Sequence, residues 1–124
     1  MEYTVKVDQE GTIHYYKPGT DLLHREDGPA VVCNDGQKEW FIDGKWHRED
    51  GPAIIYAGGY KAWYKQGKRH REDGPAREFA NGGKEWWIDG KKLKEQEFEN
   101  LTKEAKVRTF TVPTGTKEIR IQFE

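Results

Sequence analysis

The sequence predicts a mainly β fold, in which short hairpins stack side by side into a single twisted layer. The first observation is a heptapeptide, His-Arg-Glu-Asp-Gly-Pro-Ala, which occurs unchanged at residues 24–30, 47–53 and 70–76. The second is an aromatic segment ending in Gly-Lys, which recurs in phase at residues 39–45, 62–68 and 85–91. The shared period of 23 residues is typical of repeat proteins, whose units bury their apolar sides against neighbouring units.

Each unit has the pattern of a β-hairpin. In the unit 47–69, a β-prone run follows Gly51-Pro52, Gly58-Gly59 turns the chain, and a second run starts at Tyr60. The unit before it has Asn34-Asp35-Gly36 and Asp43-Gly44 beside its β-prone runs. Asp-Gly predicts a type I′ hairpin turn, whose central residues need positive φ. The heptapeptide then joins successive units, and its glycine is expected to take a φ that other residues avoid.

The array is predicted to span residues 1–92, with a separate cap or adaptor over 93–124. It consists of a degenerate unit at 3–23 and three regular units at 24–46, 47–69 and 70–92. Phe98, Leu101 and Ala105 have helical spacing, which predicts an amphipathic helix over about 94–106. A terminal hairpin follows over about 107–123. Because terminal repeats need a cap, the helix is expected to cover the last hairpin.

Composition narrows the partners and the compartment. The 21 basic and 22 acidic residues give a net charge of −1, so long nucleic acids are not expected to bind. Cys33 is the only cysteine, which excludes an intrachain disulfide and favours a reducing compartment. The chain has neither a signal-peptide pattern nor a long apolar run, so no membrane association is expected. A cytoplasmic location is expected, in whatever cell makes the chain.

The repeat resembles MORN repeats and their bacterial and viral variants, over about residues 3–92. The resemblance rests on Trp-x-x-Asp-Gly-Lys-x-His followed by a glycine turn and an aliphatic strand, although Arg-Glu-Asp separates His from Gly here. The heptapeptide loop and the closing Gly-Lys-x-Leu-x-Glu-x-Glu-Phe look like those of bacteriophage and mobile-element proteins. The resemblance implies an elongated single-layer sheet that binds proteins or lipids, with no catalytic residues to transfer.

The repeated histidines, His24, His47 and His70, invite metal and acid–base hypotheses. Equivalent atoms in successive units lie roughly 10 Å apart, because each unit adds two strands. A shared zinc ion needs each ligand atom at about 2.1 Å. Three identical environments also differ from an active site, which needs groups with distinct pKa values. We therefore expect structural loop roles for these residues, no enzyme activity, and no metal or cofactor.

The aromatic columns are the stronger candidates for function. Neighbouring residues of a strand point to opposite faces, so Trp40, Trp63 and Trp86 line one face and Phe41, Tyr64 and Trp87 the other. One column is expected to pack internally, and the other to meet the terminal elements, a subunit or a ligand. The predicted partner-binding residues are Trp63, Tyr64, Trp86, Trp87, Phe110 and Phe123. The predicted polar rim consists of Arg48, Glu49, Arg71 and Glu72.

Three functions are compatible with these columns. The favoured one is a non-enzymatic protein-binding module of a phage or mobile element, which inhibits a bacterial target such as a defence effector or toxin. The first alternative is a sponge that holds a nucleotide signal or other small ligand, with bases between tryptophans and phosphate on Arg25, Arg48 and Arg71 or on Lys38, Lys61 and Lys84. The second is a structural array that stacks into homo-oligomers.

Overall fold

The computed structural model describes residues 2–106 and 114–115. These contain short strands followed by one helix, so the mainly β prediction is confirmed. The strands are β1 (Thr4–Val7), β2 (Ile13–Tyr16), β3 (Val31–Val32), β4 (Lys38–Glu39), β5 (Phe41–Ile42), β6 (Lys45–Trp46), β7 (Ile54–Ile55), β8 (Lys61–Ala62), β9 (Tyr64–Lys65), β10 (Lys68–Arg69), β11 (Arg77–Glu78), β12 (Lys84–Ile88) and β13 (Lys91–Leu93), and the helix is α1 (Glu95–Lys106).

Nine of the strands form one open antiparallel sheet, in the order β1-β2-β3-β4-β7-β8-β11-β12-β13. Its register places Val31, Glu39, Ile54, Ala62, Arg77 and Glu85 directly opposite one another from strand to strand. These residues therefore share one face of the sheet, because directly opposed residues point the same way. Two residues of this row, Ile54 and Arg77, line the candidate binding site described below.

Each regular unit adds a third short strand that the hairpin interpretation missed. In the first regular unit the chain turns back at Asp43-Gly44, and β5 pairs with β6 in a small second sheet. The φ angles of 50° at Asp43 and 78° at Gly44 are those of a type I′ turn. The same turn recurs at Gln66-Gly67 and Asp89-Gly90. The Asp-Gly signal is therefore confirmed here, but it closes an additional hairpin within the unit.

The loop at Asn34-Asp35-Gly36 differs from the expected type I′ turn. Only Gly36 has a positive φ, at 98°. The Gly36 N–H donates to the Cys33 carbonyl at 3.2 Å, and the Cys33 N–H donates to the Gln37 carbonyl at 2.9 Å. This is a three-residue hairpin loop that ends in a left-handed glycine.

The core is thin and alanine-rich. Ala30, Ala53 and Ala76, the last residues of the three heptapeptides, are fully buried, as is Ala62. The Ala53 N–H donates to the Ala62 carbonyl at 2.8 Å, which joins the end of the loop to the neighbouring strand. Ala53 and Ala62 form a buried cluster with Ile54 and Tyr64, against which three half-buried aromatic residues pack: Trp40, Trp46 and Tyr60.

The C-terminal helix lies against the last long strand, β12. Phe98, predicted to face the array, is buried, whereas Leu101 is about half exposed. Glu95 and Glu97 stand in the first turn of α1, where negative charge is favourable. The predicted terminal hairpin over 107–123 falls outside the described residues, apart from a turn at 114–115. None of the helices in the described part of the chain is long and apolar enough to cross a membrane.

Candidate binding site

The repeated histidine holds the type I′ turn of its own unit. The Asp43 N–H donates to His24 Nδ1 at 2.9 Å, and the equivalent bonds join Gln66 to His47 and Asp89 to His70 at the same distance. Because Nδ1 accepts, the ring hydrogen lies on Nε2. That atom faces the glutamate two residues later, at 3.4, 2.8 and 3.1 Å in successive units. Each histidine thus bridges its loop to a turn 19 residues further on.

The repeated arginine folds back onto its own loop. Arg48 Nε donates to Asp50 at 2.9 Å, and Nη1 donates to the Pro52 carbonyl at 3.1 Å. Its guanidinium carbon lies 3.9 Å from the centre of the Trp40 ring, which is a cation–π contact. Arg71 repeats this arrangement over Trp63, and Arg25 repeats it over Tyr15 at 4.1 Å.

The heptapeptide glycine lies against the arginine of its own loop and does not have the predicted backbone conformation. Gly28, Gly51 and Gly74 are absent from the positive-φ region, so the expectation about their backbone is wrong. A Cβ on Gly51 would instead lie 2.9 Å from the guanidinium carbon of Arg48. Each guanidinium is therefore enclosed between an aromatic ring and a bare glycine backbone.

These contacts give the heptapeptide a structural role, as predicted for the histidines. Of the predicted polar rim, Arg48 and Arg71 are held within their loops, with only about a fifth of each side chain exposed. Glu49 and Glu72 are largely exposed and contact the histidines of their own loops. The arginine N–H donors of the repeated loop thus have partners within the loop, and the groups exposed to a binding partner are mainly carboxylates.

The paired carboxylates of these loops are expected to make the folded chain less stable in acid. A hydrogen bond from Arg48 lowers the pKa of Asp50 from 3.8, and the Lys65 charge and the His47 bond lower the pKa of Glu49 from 4.5. Their contribution is complete above these values and is lost as the pH falls through the lower folded-state pKa. We expect the melting temperature to decrease as the pH is lowered from about 4. Calorimetry should show a weaker acid dependence for Asp50→Asn, and an unchanged acid limb would contradict the pairing.

Two tryptophans of the predicted column, Trp40 and Trp63, are covered by the loops. The guanidinium groups of Arg48 and Arg71 occupy one face of Trp40 and of Trp63 at 3.9 Å. A base stacked on that face would have to displace them. Trp63 borders a cleft of about 600 Å³ between successive loops. The cleft is lined largely by heptapeptide side chains that already have partners.

The two predicted tryptophans of the last unit lie apart from each other. Trp86 borders a cleft of about 730 Å³ beside the start of the helix, together with Phe79 and Leu93. Trp87 Nε1 donates to Glu85 at 3.0 Å, and the Arg69 guanidinium lies 4.8 Å from its ring centre. Neighbouring residues of β12 point to opposite faces. The remaining predicted binding residues, Phe110 and Phe123, lie outside the described residues.

A groove on the face that carries Tyr64 is the strongest candidate for binding. We call it the aromatic–arginine groove; it has a volume of about 360 Å³ and is lined by Trp46, Ile54, Tyr56, Tyr60, Tyr64, Arg69 and Arg77. Of these lining residues, Ile54 and Tyr64 are buried, whereas Tyr56 is 40% exposed. Trp46 and Tyr64 form one wall with ring centres 5.0 Å apart, and Tyr56 and Tyr60 form the other at 5.2 Å. Of the predicted site residues, only Tyr64 lies in this groove.

Hydrogen bonds to tyrosine hydroxyls orient both arginines of the groove. Arg69 Nε donates to Tyr64 at 3.0 Å, and Arg77 Nε donates to Tyr60 at 2.8 Å. Arg77 Nη1 also donates to Glu85 at 3.0 Å. Burial opposes the charge on Arg77, but its bonds to Tyr60 and Glu85 outweigh burial and raise its pKa. Burial likewise opposes the Glu85 charge, but bonds from Trp87 and Arg77 lower its pKa.

Sequence reasoning missed most of this groove because its residues depart from the repeat. Tyr56 stands where the neighbouring units have Cys33 and Phe79, and Tyr60 stands where they have Gln37 and Gly83. Arg69 likewise replaces Trp46 and Lys92 of the flanking units. Positions at which one unit departs from the others are thus the available sequence signal for this site. The repeated positions predict the scaffold.

Two further observations bear on the chemistry. Among the described residues, no three His, Cys, Asp or Glu side chains are grouped so that they could hold a metal ion. Comparisons with protein-family models, curated proteins and solved structures found no match to this chain. The proposals below therefore depend on the chain's own geometry and on the resemblance of its repeat.

Proposed function

We propose that this chain is a non-enzymatic protein-interaction module that binds its partner through the aromatic–arginine groove. The observation that carries the proposal is the exposed Tyr56 beside Trp46 and Tyr60, in a groove that the repeat scaffold does not require. Tyr, Trp and Arg are the residues that dominate binding energy at protein interfaces. The face is pre-organised, because the sheet and the tyrosine–arginine bonds fix the side chains before binding.

A narrower form of the proposal names the partner class. The resemblance of the heptapeptide repeats to phage and mobile-element proteins supports a small inhibitor that occupies a bacterial defence effector or toxin. This part rests on analogy between repeats, since a fold supports many functions. The groove itself carries the broader statement, which is that the chain acts by binding.

A second candidate function, self-assembly, is favoured by β1, the edge strand of the sheet in the described part of the chain. The outer side of β1 has no strand beside it within the described residues, and Val5 and Val7 are 49% and 64% exposed. An open apolar edge of this kind can pair with a strand from another chain. Analytical ultracentrifugation across a range of concentrations would detect that assembly, and groove variants would leave it unchanged.

The test of groove binding is a pull-down from bacterial and phage-infected lysates with the wild-type chain and Tyr56→Ser. We expect a stoichiometric protein on the wild type, and an affinity of the purified pair about 30-fold weaker for Tyr56→Ser, since interface tyrosines often contribute ~2 kcal/mol. Calorimetry on the purified pair provides the number. Mass spectrometry of the same eluate for small molecules tests the sponge alternative.

The matched control is Leu22→Ser. Leu22 is 43% exposed, close to the exposure of Tyr56, but it lies beside Gly44 and not in the groove. A partner that is lost with Tyr56→Ser and retained with Leu22→Ser would assign binding to the groove. Equal retention by all three proteins would refute the groove, and a nucleotide retained without protein would favour the sponge.

A further inference from the structure

We propose that the aromatic–arginine groove takes an acidic side chain of the protein partner, adjacent to an aromatic side chain, with Arg69 as the carboxylate anchor. The inference rests on the proposed function and specifies the chemistry of the segment that binds.

The first step is the state of Arg69. Its Nε donates to the Tyr64 hydroxyl, while its terminal nitrogens have no hydrogen bond or ion pair among the described residues. Every other arginine in that part of the chain has a carboxylate: Arg25, Arg48 and Arg71 in their loops and Arg77 on Glu85. Within the described part of the chain, Arg69 is thus an oriented guanidinium whose terminal N–H donors are unused.

The second step is the rigidity of that guanidinium. Tyr64 holds Nε at 3.0 Å, and the ring of Trp87 lies 4.8 Å from the guanidinium carbon. A planar guanidinium presents paired donors that match the two oxygens of a carboxylate. Because the side chain is already ordered, binding costs less conformational entropy than it would for a free surface arginine.

The third step is the charge around the groove. Arg77 is paired with Glu85, so it adds little net charge. Glu39 accepts the Trp46 indole N–H at 3.0 Å. Burial first, and then the Glu39 charge, raise the pKa of Tyr56, so a negative charge lies near the Trp46 and Tyr56 side chains. A single carboxylate at Arg69 satisfies this polarity. A polyphosphate would bring excess negative charge towards Glu39.

The fourth step is the size and openness of the site. Its volume of about 360 Å³ is near the lower end of small-ligand pockets, which enclose most of their ligand. Here one wall ends at the exposed Tyr56, so the groove suits a side chain or two of a protein segment better than an enclosed nucleotide. An aromatic side chain beside the acidic one would contact the Trp46 and Tyr60 rings.

The experiment is a selection from a random peptide library displayed on phage, with the full chain as bait. We expect the selected peptides to carry Asp or Glu near an aromatic residue. A synthetic peptide of a selected sequence should bind Arg69→Gln about tenfold to a hundredfold more weakly than it binds the wild type. The same peptide with its Glu or Asp replaced by Gln or Asn should bind the wild type more weakly by the same factor. Arg69→Lys keeps the positive charge but lacks the paired donors of the guanidinium, so it should bind the peptide with intermediate affinity.

The outcomes separate this inference from the function on which it rests. Peptides that depend on Tyr56 but lack acidic residues and ignore Arg69→Gln would overturn the anchor alone. Peptides that bind both Tyr56→Ser and Arg69→Gln with wild-type affinity would also overturn the assignment of binding to the groove. AMP serves as the nucleotide probe, and tighter binding of AMP than of the peptides, abolished by Arg69→Gln, would replace the acidic segment with a nucleotide. Thermal melting checks that the variants fold. If Arg69→Gln does not fold, Arg69→Lys provides the test of the anchor.

Discussion

Gly51→Val is expected to lower the free energy of unfolding by about 2 kcal/mol, although Gly51 has an ordinary φ. The new Cβ would lie 2.9 Å from the Arg48 guanidinium carbon, so the arginine must leave its place. In doing so it loses the contact with Trp40 and the bonds to Asp50 and Pro52. Urea denaturation at neutral pH measures the change.

Gly58→Val is the matched control, because a Cβ at Gly58 meets no atom within 4 Å and its φ lies outside the positive region. A double-mutant cycle identifies the cause. In an Arg48→Ala background the clash partner is gone, so Gly51→Val should cost much less there than in the wild type. Strictly additive costs would show that Gly51 is required for a reason other than Arg48.

His70→Leu is expected to destabilise the chain by about 2 kcal/mol, because it removes a buried hydrogen-bond acceptor. His70 is buried, and its Nδ1 accepts the Asp89 N–H at 2.9 Å at the start of a type I′ turn. Leucine fills comparable space without an acceptor, so the amide loses its partner. Denaturation gives the total cost, and hydrogen exchange at the Asp89 amide should accelerate in the variant.

His70→Asn provides the comparison, since its side-chain oxygen can accept a bond near the position of Nδ1. We expect Asn to recover part of the stability and of the Asp89 amide protection. The equivalent His47→Leu should cost less, because the His47 side chain is more exposed than that of His70. A loss of stability in His70→Leu with unchanged exchange at Asp89 would contradict the turn-holding role.

The scaffold could be predicted because its determinants are local and repeated. Glycine turns between β-prone runs specify hairpins, and a 23-residue period requires equivalent contacts in each unit. The third strand is absent from the prediction of one hairpin per unit, because the turn at Asp43-Gly44 closes β5 onto β6 in addition to that hairpin. The role of Gly51 was missed because a close approach by Arg48 depends on side-chain position, which backbone preferences do not contain.

The groove could not be predicted by the same route, because it depends on register between strands. Arg77 and Ala62 are opposed across two strands, which brings Arg77 to the face that holds Tyr60. Alternation within a strand indicates which residues share a face, but it does not indicate which neighbours they meet. The repeated columns of the sequence also favour Trp63 and Trp86, which lie beside the loops and the helix and not in the groove.

The interlocking of the units has a consequence for how such a chain could diversify. At one junction the backbone N–H of Arg48 donates to the Tyr64 carbonyl, and that of Gly67 donates to the Trp46 carbonyl. The equivalent backbone bonds recur one unit later, from Arg71 to Trp87 and from Gly90 to Arg69. The backbone at each junction is therefore interchangeable, and only the variable side chains distinguish one junction from the next. Duplication of a unit would lengthen the sheet while leaving an existing site intact, and point substitutions at the new junction could then create a second specificity beside the first.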